Sequence, residues 1–226
     1  MFIYYYGFDL IFILTLIITL GAQAFISGKY ASTRRIRTKK GMTGASVARK
    51  ILDSNGLSNV TVREVSGELS DHYDPRSKTV NLSSDIYNGS SIASASVASH
   101  ECGHAIQDKE NYTWLRIRHF FVPIVNIITY SAYIMFFVSI FLQIVDLLLV
   151  AVASVLIGLV FQLITLPVEF NASDRALKQL NKLSLVTKED SEGAGQMLKA
   201  AAWTYVAAVL SSLLNLLRLM RHFDRD

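Results

Sequence analysis

One cysteine, Cys102, is all the chain has, so no internal disulfide braces it and the redox compartment is not constrained further. Charge is missing from two long stretches, residues 120–142 and 147–168, which contain no Asp, Glu, Lys or Arg. A small transporter needs ionisable groups inside its spans, so this absence ranks that class of function lowest. No basic segment precedes the first apolar run, which argues against a cleavable signal peptide. Internal repeats and low-complexity tracts are also absent.

What is present is mostly apolar. Hydrophobic residues make up 51% of the 226, and the mean hydropathy is +0.34, too high for an ordinary soluble domain. Residues 10–26 are long enough to cross a bilayer, with the Tyr4, Tyr5 and Tyr6 cluster placed for one interface. Directly behind this run, residues 29–40 carry Lys29, Arg34, Arg35, Arg37, Lys39 and Lys40 and no acid. The positive-inside tendency makes that end cytoplasmic. A basic run against an apolar span reads as topology or as attraction to anionic headgroups, so no nucleic-acid partner is expected.

The two uncharged stretches form a hairpin around residues 143–146, which returns the chain to the cytoplasmic face at Val168. Residues 200–217 are apolar with a small or polar stripe of Thr204, Ala208, Ser211 and Asn215 that suits helix packing. A fourth span is favoured there over an interfacial helix, although it would put Arg218, Arg221 and Arg225 outside, against the charge tendency. Between the first span and the hairpin lies a small soluble domain. Residues 43–52 have helical spacing, and residues 60–65 and 78–82 alternate as strands across a turn at Asp74, Pro75, Arg76 and Ser77. Asp71, His72, Tyr73 and Asp74 read as turn and surface residues, and the strand before the next helix is a candidate edge for an extended peptide.

That next helix carries His100-Glu101-Cys102-Gly103-His104, the H-E-x-x-H pattern. With five His in the chain, about 0.003 accidental matches are expected, so chance is a poor explanation. Histidines four apart lie one turn apart on one face, where two imidazoles take adjacent corners of a zinc tetrahedron. Glu101 is placed to take a proton from zinc-bound water. Gly103 is read as room for a substrate backbone, and Cys102 as a packed thiol facing away from the histidines. A catalytic zinc site needs a third protein ligand, and Glu169, just past a span on the cytoplasmic side, is the best candidate. His119 beside Arg116 and Arg118 reads as an interfacial anchor. Arg175 is a weak candidate for stabilising the oxyanion.

The segments around His100–Gln107, Asp71–Pro75, Val80–Ser83 and Pro167–Ala176 together resemble the YugP-like family of bacterial membrane zinc metallopeptidases over nearly the whole chain. More distantly they resemble HtpX-type and CaaX prenyl proteases. The resemblance implies His100, His104 and Glu169 as ligands of one zinc ion per chain, Glu101 as general base, and a bacterial plasma-membrane location. In the distant relatives an Asp four residues after the third ligand supports a histidine. Here that place holds Ser173, with Asp174 beside it, and either is a candidate.

The expected fold is an α-helical membrane protein with a small α+β zincin-like cytoplasmic domain, its third ligand coming from a helix after a transmembrane span. The expected organisation is a transmembrane anchor (1–28), the zincin-like domain (29–119), the hairpin (120–168), a cytoplasmic helix with the third ligand (169–199), and a fourth membrane helix and tail (200–226). The expected partners are the lipid bilayer, membrane-associated protein or peptide substrates and a regulatory partner of unknown identity. The rival to a metalloendopeptidase is a non-catalytic zinc-binding scaffold, which would tolerate Glu101→Gln.

Overall fold

A computed structural model describes residues 10–142 and 148–223. The Tyr4–Tyr6 cluster, the hairpin turn at 143–146 and Arg225 lie outside the described residues. The elements in order are α1 (Leu10–Arg35), α2 (Gly44–Ser54), β1 (Thr61–Val65), β2 (His72–Asp74), β3 (Thr79–Ser83), α3 (Ser84–Asn88), α4 (Ile92–Lys109), α5 (Thr113–Leu142), α6 (Leu148–Lys182) and α7 (Lys188–Phe223).

Helix α2 begins where the Thr43 side chain accepts a hydrogen bond from Ser46 N, and it ends before Gly56, whose φ of +65° continues no helix. Its Val47, Ala48, Ile51 and Leu52 are fully buried against Val60, Val80 and Leu82 of the sheet region and Ala98, Cys102 and Ala105 of α4. The sheet has the order β1-β3-β2, with β3 parallel to β1 and antiparallel to β2. All five β3 residues are buried. The strand before the metal helix is therefore the central one, paired on both sides, and the sheet's edges belong to β1 and β2. Residues 72–74, read from sequence as part of a turn, form that second edge.

Three of the described helices are long and apolar enough to cross a membrane, α1 among them, and only 6% of its apolar window is buried within the protein. Leu10, Ile17, Leu20 and Phe25 point outward from it, as suits a lipid-facing surface and not a soluble core. The other two are the Ala153–Lys182 and Lys188–Arg218 stretches of α6 and α7. Thr19 of α1 meets Ser211 of the α7 small-residue stripe, hydroxyl to hydroxyl at 3.1 Å.

Helix boundaries differ from the hydropathy boundaries. Helix α1 runs past residue 28 to Arg35, and α6 passes through Pro167 without a break, so Glu169 stands on the continuation of a span helix and not on a separate one. The chain turns at Ser184, in the left-handed region with φ +49°, before α7. The basic run also has protein partners: Arg34 pairs with Asp85 and Glu68, Lys39 with Glu189, and Lys29 Nζ donates to Gln196 Oε1 at 2.6 Å. These bonds fasten the end of α1 to the domain and to α7.

Helix α4 is enclosed by α2 and the sheet on one side and by α6 and α7 on the other. Its small residues make this enclosure possible. A Cβ built on Gly103 would lie 2.5 Å from the Ala172 carbonyl oxygen of α6 and 3.2 Å from its Cα. The space Gly103 leaves is thus filled by the α6 backbone, which corrects its reading as room for substrate.

Candidate metal centre

Ser91 caps α4 by accepting from Ser94 N, and the regular helix that follows places His100 and His104 one turn apart, their rings edge to face with centroids 4.8 Å apart. Helix α6 brings Glu169, only 3% exposed, against both. Its Oε2 is 3.2 Å from His100 Nε2 and 3.6 Å from His104 Nε2. Two ligands bound at about 2.05 Å to a tetrahedral ion are about 3.3 Å apart, so these separations fit the edges of a zinc tetrahedron. Among the described residues this is the one group of three His, Cys, Asp or Glu side chains gathered closely enough to hold a metal.

Outer contacts turn both Nε2 atoms inward. His104 Nδ1 lies 3.0 Å from Gln107 Oε1, and the buried Gln107 amide donates to Val168 O at 2.8 Å and to Asn171 Oδ1 at 3.0 Å. With Nδ1 carrying the proton that Gln107 accepts, Nε2 keeps its lone pair for a cation. For His100 the corresponding neighbour is Ser173, whose Oγ is 3.2 Å from Nδ1. Asp174 instead pairs with Lys178 at 2.6 Å on a half-exposed surface. The second carboxylate oxygen of Glu169 meets Arg118 Nη1 at 3.2 Å.

Glu101 is buried beside this group, and its Oε2 accepts a hydrogen bond from Tyr73 N at 2.9 Å. That donor comes from β2, so the short edge strand aims its outer backbone at the carboxylate. Asp71, just before β2 and two residues before Tyr73, accepts from Ser83 N and Oγ, while burial, aided by the Glu101 charge, pushes its pKa above the ordinary value. A cavity of about 170 Å³ opens over His100, Glu101, His104 and Glu169, and Asp71, Arg118, His119 and Tyr205 are among the other residues of its wall. Burial, with the nearby Arg118 charge, lowers the His119 pKa.

Arg175 lies elsewhere. It pairs with Glu110 at 2.7 Å and donates from Nε to Asn171 Oδ1 at 2.7 Å, so it reaches His104 only through Asn171 and Gln107. Cys102 is buried with Sγ 3.6 Å from Ala48 O, and burial pushes its thiol pKa up. Reading the sequence missed Gln107, Arg118, Tyr205 and the Tyr73 N–H. Only Gln107 left a local signal, its spacing of three from His104 on the same helical face.

Two imidazoles and a carboxylate, with a second carboxylate beside them, are a group that could hold a zinc ion, and apolar helices long enough to cross a membrane surround it. The chain belongs to the family described as "putative neutral zinc metallopeptidase", whose profile matches residues 8–224. It is 41% identical over 218 residues to the protein named "putative membrane protease YugP" of Bacillus subtilis (strain 168), a match covering 95% of this chain and 97% of that one. No solved structure matches.

Proposed function

We propose that the chain is a metalloendopeptidase holding one zinc ion through His100, His104 and Glu169, and that it hydrolyses peptide bonds of protein substrates at the cytoplasmic face of a bacterial plasma membrane. The observation that carries this reading is the meeting of Glu169 with the two Nε2 atoms, 3.2 and 3.6 Å away, directly beside Glu101. A zinc ion bound there supplies a Lewis acid and lowers the pKa of its water towards about 7.

The chain's own groups do the rest. Glu101 takes the proton from the attacking water and passes it to the leaving amine, and its hydrogen bond from Tyr73 N fixes the carboxylate's orientation. Gln107 and Ser173 hold the two imidazoles in position. Arg118 and Tyr205, which share the cavity wall, are better placed than Arg175 to stabilise the developing oxyanion. Because Glu169 stands on a span helix, the site lies close to the membrane surface, which favours membrane proteins or their tails as substrates.

The test is hydrolysis of an unstructured protein such as casein by the detergent-purified chain. Activity lost on chelation and restored by stoichiometric zinc is expected. Hydrolysis that survives complete removal of metal would refute the reading.

A further inference from the structure

Beside the metal cavity lies a second one, of about 200 Å³, which shares Asp71, His100, Glu101 and Tyr205 with it. Apart from those shared groups and Ser96, its lining is apolar: Val97 of α4, Met197, Leu198 and Ala201 of α7, and Leu69 from the loop between β1 and β2. Met197, Ala201 and Tyr205 recur every four residues, so one stripe of α7 forms a continuous wall facing the metal helix. Val97 stands one turn before His100 on the opposite wall.

Leu69 gives a second, independent sign. It is 67% exposed and its backbone is left-handed, with φ +56°. A branched side chain in that region is an outlier held against its own preference, and such outliers concentrate at sites that bind. The strained loop keeps an apolar side chain at the mouth of an apolar cavity.

A cavity of about 150 Å³ holds a benzene molecule, so about 200 Å³ has room for one leucine, methionine or phenylalanine side chain. Its only charged linings, Asp71 and Glu101, sit at the end shared with the metal and disfavour an acidic side chain. We propose that this cavity is the specificity pocket of the enzyme, receiving a bulky apolar side chain next to the scissile bond. The proposal rests on the metallopeptidase reading above and names the substrate class of that site.

Binding tests it without turnover. The zinc-loaded, full-length Glu101→Gln protein in detergent is titrated with two short peptide hydroxamates that differ only in the residue beside the metal-binding group, leucine or glycine. Four further buried carbons predict roughly 200-fold tighter binding of the leucine probe. Adding Ala201→Phe fills the cavity and should reduce that ratio below about threefold. Adding Leu69→Gly, which relaxes the strained backbone and so cannot fail for want of a fold, should reduce it several-fold. Equal binding of the two probes, or a ratio that both added substitutions leave unchanged, would overturn the pocket while leaving the metal site intact. If neither probe binds the zinc-loaded protein, the metallopeptidase reading fails and the pocket fails with it.

Discussion

Replacing Gly103 by Ala sets two effects of opposite sign against each other. In a helix with free surroundings the change stabilises by about 1 kcal/mol, because Ala is the better helix former. Here the new Cβ would lie 2.5 Å from the Ala172 oxygen, whereas an ordinary carbon–oxygen contact is about 3.4 Å. The α6 backbone must retreat by about 0.9 Å, and Glu169, one turn earlier on α6, moves with it. The 3.2 Å separation from His100 Nε2 then opens towards about 4 Å, beyond the tolerance of about 0.2 Å on zinc–ligand bonds. Overpacking of this kind costs about 1–3 kcal/mol, which outweighs the gain in propensity. Zinc affinity should fall by about ten- to a hundredfold, measured by competition with a chromophoric chelator, and the apparent Tm of the zinc-loaded protein should fall as well. A raised Tm with unchanged affinity would mean that α4 and α6 do not approach each other as described.

Two further predictions concern residues around the site. Gln107→Ala removes the acceptor at His104 Nδ1 and leaves the Val168 carbonyl without its side-chain donor, so zinc affinity should drop by about ten- to a hundredfold, read by the same competition. Asp108 accepts from Tyr73 Oη at 2.7 Å and Lys78 Nζ at 2.5 Å; burial alone would raise its pKa, but these partners outweigh it and hold the carboxyl below its ordinary value. A depressed carboxyl stabilises the fold above its unfolded pKa, near about 4, and that contribution disappears as pH falls through the folded value. Asp108→Asn should therefore cost about 1 kcal/mol at pH 7, with the Tm difference from wild type shrinking below about pH 4. A constant difference across that range would contradict the assignment.

The metal helix was legible in the sequence because its information is local: two histidines and a glutamate on one turn, flanked by small residues. The approach of Glu169 to the two histidines was legible through hydropathy, since two uncharged stretches of span length are expected to bring the chain back to the side it left. The role of Gly103 was not, because the same glycine serves a substrate or a neighbouring helix depending on what packs there, and Ala172 lies 69 positions further on. Strand β2 has only three residues, too few for alternation to register, yet it supplies the donor to Glu101. The break at residues 183–187, and not residue 169 or 200, separates the last two helices, because apolarity ends where the bilayer ends while helical hydrogen bonding continues. Arg118 and Tyr205 are ordinary interfacial residues by sequence, and only the convergence of α5 and α7 on the cavity brings them into it.

The most direct test of the central claim compares zinc content and casein hydrolysis in wild type, Glu101→Gln and Glu169→Ala prepared in the same detergent. The account predicts about one zinc per chain in wild type and Glu101→Gln, much less in Glu169→Ala, and cleavage by wild type alone. Zinc retained in Glu169→Ala would remove that residue from the metal centre, and cleavage surviving in Glu101→Gln would contradict the mechanism outright.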